Sequence, residues 1–289
     1  MTRKETLNAY YYLTKPGIVR GNLITAAAGY LLASKQHIAI GRGAIMLLGL
    51  GLIIAAACVS NNVLDRKLDK KMARTAKRAL VAGKISVPAA LGYATVLLLA
   101  GSLLLGLFVN GLSLGLALLG YVAYVVVYGY YKRRSSLGTA VGSISGAIPP
   151  VVGYVAASNH IDLAAGLLFV ILVCWQMPHF FAIAMFRLKD YAAAELPVLP
   201  VKKGLQVTKV QALLYIVSYA VSSLGLSYYG YTGKIYFVSL LVISLGWLGL
   251  AIRGFKATDE IAWAKQLFFF SLLALTVQSL LIGLNAVLI

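Results

Sequence analysis

Apolar residues fall in long runs along this chain, near 16–34, 43–63, 87–108, 111–129, 138–157, 163–185, 208–229, 234–252 and 267–288. Each is close to the ~20 residues that a helix rising 1.5 Å per residue needs to cross a hydrocarbon core of ~30 Å. The pattern predicts an all-α polytopic membrane protein with nine transmembrane helices in a single domain, 1–289. Lys15-Pro16 opens the first run, and proline suits the first turn of a helix, where its missing N–H costs nothing. The run lacks a small-residue cleavage site, so it reads as a retained helix and not as a signal peptide.

The polar residues that interrupt this pattern carry the chemistry. "NNVLDRKLDKKMARTAKR", residues 61–78, follows the second run directly. Asn61, Asp65 and Asp69 stand at i, i+4 and i+8, which puts them on one helical face about 6 Å apart. Two carboxylates and an amide oxygen in a row form a hard-oxygen set suited to Mg²⁺, which typically bridges protein carboxylates to substrate phosphates. The plainer alternative is a solvated helix end whose acids pair with Lys70 or Lys71. A second acidic spot, "FRLKDYAAAELPVLP", places Asp190 and Glu195 after the sixth run, on the same side of the membrane. Around the two spots lie Arg66, Lys67, Arg74, Lys77, Arg78, Lys132, Arg133, Arg134, Arg187, Lys202 and Lys203. Acids that hold a metal beside cations that neutralise the remaining oxygens would suit a metal-bound diphosphate. The same cations would equally serve topology and anionic headgroups.

Within the runs, "CWQMPHF" sets Gln176 and His179 about Pro178. An intramembrane histidine is a functional candidate by default, against the alternative of a histidine bonding a neighbouring helix. Asn22 is another amide near a span end, able to reach a phosphate or an adjacent helix. Gly142 and Gly146 have the spacing of close helix packing. Cys58 and Cys174 lie in apolar runs with no pairing or metal-ligand pattern, and read as small core residues.

Composition supports the membrane reading: 289 residues, 61% hydrophobic, 12% charged, mean hydropathy +0.86. A soluble protein carries about 25% charged residues. With the N-terminus in the cytoplasm, all of the 26 basic residues except Lys35, Arg42 and Lys234 fall inside, as the positive-inside rule requires. The net charge of +18 therefore records topology and does not indicate a nucleic-acid partner. Of the eight acids only Asp162 falls outside.

Several stretches together resemble the UbiA-type intramembrane prenyltransferases, in particular the branch that acts on haem. They are "TKPGIVRGN" at 14–22, the 61–78 stretch, "YKRRSSLGTAVGSISGAIPPVVGY" at 131–154, "WQMPHFFAIAMFRLKDY" at 175–191 and "LPVLPVKKG" at 196–204. Asn61, Asp65 and Asp69 match the wider family, while the WQMPHF and GAIPP stretches are specific to the haem branch. Lys67 stands where branch members often carry an acid, and Glu195 lies five residues after Asp190 where the family's second motif spaces its acids by four. The resemblance implies nine transmembrane helices about a central cavity, in the bacterial cytoplasmic (inner) membrane, with the active-site mouth facing the cytoplasm. It implies farnesyl diphosphate with Mg²⁺, and haem B as the substrate that becomes haem O. In these terms Asn61, Asp65, Asp69 and Asp190 are the metal ligands. Asn22, Arg74, Lys77, Arg78, Lys132, Arg133 and Arg134 are diphosphate contacts, and His179 and Trp175 are haem contacts. Asp65, Asp69, Asp190 and His179 are the catalytic candidates. Phe180, Phe181 and Tyr154 are candidates for an apolar wall around the farnesyl cation. A terminal oxidase or a haem A synthase is the implied recipient of the product. The rivals are a UbiA-type enzyme prenylating an aromatic such as 4-hydroxybenzoate, and a transporter or structural subunit.

Overall fold

The computed structural model describes residues 2–35, 37–72 and 75–288, with side chains through Ala286. Its helices are α1 (Arg3–Leu13), α2 (Pro16–Ser34), α3 (Ile40–Asp69), α4 (Val87–Phe108) and α5 (Gly111–Val122). A π-helical stretch, Ala123–Tyr128, carries α5 on into α6 (Gly129–Tyr131). Then follow α7 (Gly138–Gly146), α8 (Ile148–Ser158), α9 (Leu163–Phe186), α10 (Leu188–Ala193), α11 (Leu199–Tyr228), α12 (Lys234–Arg253) and α13 (Glu260–Leu288).

Eight helical stretches are long and apolar enough to cross a membrane among the described residues. The ninth expected span, α2, has 19 residues and is less apolar because it carries Arg20 and Asn22. Local chemistry sets the boundaries. Ser86, Asn110 and Asp162 cap α4, α5 and α9 by accepting from the N–H groups of Ala89, Ser113 and Ala165, satisfying donors that a helix start leaves unpaired. Pro149 and Pro150 stand in the first turn of α8, so the fifth expected span is two helices joined end to end at Ala147. The seventh span begins earlier than its apolar run, because Leu199–Lys203 continues it across a kink at Gly204 (φ 80°).

Among the described residues the two largest buried clusters share α2 and α8. One holds Met46, Leu50 and Ile53 of α3 with Ala26, Tyr30 and Val152. The other packs Trp175, Phe181, Tyr219 and Trp247 of α9, α11 and α12 against α13 and Val155. α2 and α8 touch backbone to backbone: a Cβ on Gly29 would stand 2.0 Å from the Pro150 carbonyl oxygen, and one on Gly153 1.9 Å from that of Ala26. Gly146 leaves room for Gln176, which donates to the carbonyls of Ser143 and Leu172.

Lys209, counted from sequence among the basic end charges, is buried. It donates to Glu260 Oε1 at 2.6 Å and to the Gly254 carbonyl at 2.7 Å, tying α11 to the start of α13.

Two of the aromatics expected to wall a cavity, Tyr154 and Phe181, are buried among neighbouring helices. Tyr154 has its hydroxyl on Asp162 at 2.7 Å and Phe181 packs on Tyr215 within the second cluster, while Phe180 is exposed beside the His179 ring.

Candidate active site

α3 is one unbroken helix from its apolar start through Asp69. Asn61, Asp65 and Asp69 therefore share a face, as their spacing requires, and are 2%, 7% and 3% exposed. Burying two carboxylates is costly unless each is paired and hydrogen-bonded, and the partners are specific. Lys132 and Arg133 both engage Asp65, with Arg133 Nη2 3.0 Å from Oδ1 and also donating to the Leu64 carbonyl. Arg78 donates to Asp69 Oδ2 at 2.7 Å and reaches Asn62 Oδ1 at 3.4 Å. The nearby Lys70 and Lys71, natural partners for a solvated helix end, pair with neither acid; Lys71 faces Glu195 at 3.6 Å on the surface. Burial depresses the Lys132 ammonium below the usual lysine range, with Asp65 pulling it back up.

Lys132 and Arg133 reach this site from just beyond α6, into which the π-helical stretch leads. A π-helix inside an α-helix often marks a functional site. Here Tyr124 and Tyr128 stack at 5.5 Å, and the Lys132 ammonium stands over the Tyr128 ring at 5.1 Å. One turn before the acids, Ser60 and Tyr121 hydroxyls meet at 2.9 Å.

Lys15 belongs to the site although the sequence reading used it only for topology. Its backbone is left-handed (φ 52°, ψ 66°), a conformation non-glycine residues seldom adopt. The ammonium donates to Asn61 Oδ1 at 3.1 Å. Among the described residues no carboxylate lies within ion-pair distance of it. Burial, with Arg78 and Lys132 adding repulsion, holds its ammonium below the usual lysine range against the pull of Cys58 and Asp65. The signal in the sequence was a lysine immediately before the proline that opens α2.

The remaining candidates lie as follows. Asp190 pairs with Arg187 at 3.5 Å and is half-exposed. Its segment packs on the first acidic stretch, where Ala194, Leu196, Tyr191 and Val198 meet Leu68 and Met72. Lys77 lines a cavity of about 510 Å³ together with Asp69, Arg78, Lys15 and one side of α1. Asn22 bonds the Ile18 carbonyl of its own helix, and Arg134 lies over the Tyr130 ring at 3.9 Å. Arg74 falls outside the described residues. His179 and Trp175 sit at the seam of α9 and α13. His179 Nδ1 is 2.7 Å from Ser271 Oγ, Trp175 Nε1 donates to the Ser271 carbonyl at 2.6 Å, and the two rings stack at 4.8 Å.

Among the described residues no three His, Cys, Asp or Glu side chains converge as a ready metal centre. The donor set on α3 nonetheless fits a hard divalent ion, with three oxygen-bearing side chains on one face, while the buried Asn61 Nδ2, left without a partner, is a donor that suits an anion's oxygen. Four cations, Lys15, Arg78, Lys132 and Arg133, stand against two carboxylates, an excess suited to an anion.

A long-helix membrane bundle whose charged end sets two buried carboxylates among excess cations is a protein built to handle an anionic, lipid-soluble substrate. The family model for UbiA prenyltransferases matches residues 22–273. The chain belongs to the UbiA prenyltransferase family. It is 45% identical over 281 residues to the protoheme IX farnesyltransferase of Protochlamydia amoebophila, covering 97% of this chain and 99% of that one. To the Klebsiella pneumoniae protein of the same name it is 49% identical over 277 residues, 96% of this chain and 94% of that one. Among solved structures, a UbiA homologue from Archaeoglobus fulgidus bound to GPP and Mg²⁺ superposes with a TM-score of 0.72 at 14% identity, covering 97% of this chain and all of that one. The apo structure of a UbiA homologue from Aeropyrum pernix gives 0.70 at 22%, over 93% of this chain and 96% of that one. Both likenesses concern the fold.

Proposed function

We infer that this protein transfers a farnesyl group from farnesyl diphosphate to a vinyl group of haem B, with addition of water, to give haem O and diphosphate. The observation that carries the reading is the 45–49% identity, over nearly the whole chain, to proteins named protoheme IX farnesyltransferase. The chain works as one domain in the bacterial cytoplasmic membrane, with the acid-bearing end of the bundle facing the cytoplasm. The basic residues gathered at that end favour this orientation.

Asn61, Asp65, Asp69 and Asp190 would hold Mg²⁺, in keeping with the Archaeoglobus homologue bound to GPP and Mg²⁺. When bound, the ion supplies charge neutralisation for the leaving diphosphate. Lys15, Lys77, Arg78, Lys132 and Arg133 bind the remaining phosphate oxygens, and Asn22, Arg74 and Arg134 are the other proposed diphosphate contacts. Because these donors are fixed before reaction, they favour the transition state, where negative charge grows on the bridging oxygen. The allylic C–O bond breaks and its electron pair leaves with diphosphate. The haem vinyl carbon bonds to farnesyl C1, and water captures the cation left beside the ring and gives up a proton. The product passes to a terminal oxidase or a haem A synthase.

The direct test is to express the chain in a host lacking haem O and extract its membrane haems. A new, more hydrophobic haem carrying the added mass of a farnesyl and a hydroxyl group is the expected result. Unchanged haem beside a prenylated 4-hydroxybenzoate would overturn the reading, and so would no new product at all.

His179 and Trp175 are the proposed haem contacts. His179 lies about 12 Å inside the helix end at Arg187, taking 1.5 Å per residue. Ser271 occupies its Nδ1, so Nε2 is the nitrogen that would face haem iron or a macrocycle edge. His179→Ala is expected to shift the absorption spectrum of bound haem and weaken haem retention, with the KM for farnesyl diphosphate unchanged. A variant that loses only thermal stability, about 1–2 kcal/mol for one interhelical hydrogen bond, and keeps the haem spectrum would assign His179 to the α9–α13 seam alone.

A further inference from the structure

The cavity beside Asp69 is larger than a diphosphate needs. Its volume of about 510 Å³ lies in the range of pockets for whole organic ligands, ~300–1,000 Å³. One part is lined by Lys15 and Arg78, assigned above to the diphosphate, by Asp69, assigned to its metal, and by Asn62. The lining then follows α1 from Leu13 back through Tyr12, Ala9 and Asn8 to Glu5, about 12 Å along a helix axis. Lys77, Ala79, Leu80 and Lys84 also line it. Among the described residues neither Lys77 nor Lys84 has a carboxylate partner. Glu5, the acid in this region, accepts from the Thr2 N–H at 2.8 Å and is turned toward the start of α1. The wall is thus cationic at Lys84, hydrogen-bonding at Asn8 and Tyr12, and apolar at Ala9, Leu13, Ala79 and Leu80.

We propose that this α1-lined part of the cavity binds the carboxylate edge of the acceptor, with Lys84 pairing to a haem propionate and Asn8 and Tyr12 offering hydrogen bonds. The proposal rests on the haem reading given above and adds where and how the acceptor is held. A tetrapyrrole with two carboxylates keeps that edge out of hydrocarbon, where an ionised group is costly. Its vinyl edge, on the far side of the ring, then points deeper into the bundle. Farnesyl C1 is bonded to the diphosphate and so stands next to Asp65 and Asp69. The two reacting carbons meet only if both anionic ends are anchored side by side at the same end of the bundle. α1 and the 77–84 segment provide that second anchor next to the first.

An anionic lipid headgroup offers the same oxygen chemistry, so the test separates the two sources. Wild type, Lys84→Ala and Lys84→Arg are placed in nanodiscs of zwitterionic lipid, and farnesyl transfer is measured with haem B and with its dimethyl ester. Wild type is expected to show a KM about tenfold higher for the ester, the worth of one charge-assisted contact. Lys84→Ala should raise the KM for haem B by a similar factor, leave the ester unaffected, and be restored by Lys84→Arg. The KM for farnesyl diphosphate should not move. Equal use of acid and ester by wild type overturns the carboxylate site while leaving haem as substrate. A Lys84→Ala effect confined to farnesyl diphosphate, or seen only when anionic lipid is added, assigns the cavity to phosphate and overturns it too. Turnover of neither porphyrin by wild type takes down the haem reading itself.

Discussion

Asp65→Asn and Asp69→Asn should each lower farnesyl transfer on the order of 10²-fold or more while folded protein still reaches the membrane. The substitution keeps shape and removes one negative charge from a face where both acids are buried. If it ligates the metal as proposed, either carboxylate would supply several kcal/mol of charge stabilisation, and each 1.36 kcal/mol is worth tenfold in rate. The folded state also feels the change. Asp65→Asn leaves Lys132 and Arg133 without their shared carboxylate, and Asp69→Asn leaves Arg78 without its own. Lys132, already depressed by burial, can relieve this by releasing its proton, whereas an arginine cannot. Thermal unfolding and turnover measured on one preparation separate catalysis from folding, and a Mg²⁺ titration reports the metal. Glu195→Gln, at an exposed acid whose partner is a surface lysine, should change turnover little, since such pairs contribute about 0–1 kcal/mol. Near-normal product from both Asp variants across Mg²⁺ concentrations would remove the metal assignment.

The difference between these acids and Glu195 also marks what could be read from sequence. Asn61, Asp65 and Asp69 lie on one helix, so their spacing alone puts them on one face. The span lengths follow from the same local rule, and every expected run contains a helix. What the acids pair with was not legible. Lys70 and Lys71 are adjacent in sequence, yet the partners come from Arg78 and from Lys132 and Arg133 more than sixty positions away. A long flexible side chain reaches whatever the helix packing brings near, and a single sequence does not encode that packing locally. Lys15 and Lys209 were hidden for a related reason. Both are basic residues near helix ends, the pattern topology also produces, yet one turns inward to Asn61 and the other is buried on Glu260. Tyr154 and Phe181 were misread because an aromatic in an apolar run looks the same whether it faces a cavity or a neighbouring helix.

Gly153→Val should prevent the protein from accumulating as a folded bundle. α8 crosses α2 with no side chain between the backbones, and a Cβ at residue 153 would sit 1.9 Å from the Ala26 carbonyl oxygen and 2.7 Å from its carbon. Neither atom can move without its helix moving. The same crossing repeats one turn along, where a Cβ on Gly29 would meet Pro150 at 2.0 Å. Small residues at a membrane helix crossing contribute by letting backbones approach, because no hydrophobic drive between helices can compensate for lost packing inside lipid. Forcing the pair apart costs the ~1–3 kcal/mol typical of an overpacked core, or more, and it also opens both buried clusters, which meet at α2 and α8. The displacement would carry Lys15, at the start of α2, away from Asn61. Gly153→Ala should therefore melt measurably lower and lose turnover, with Gly153→Val failing outright. Gly166→Ala, where a Cβ meets nothing within 4 Å, should be silent in the same thermal assay. If Gly153→Val melts like wild type, the backbone contact between α2 and α8 is not what holds the two halves of the bundle together.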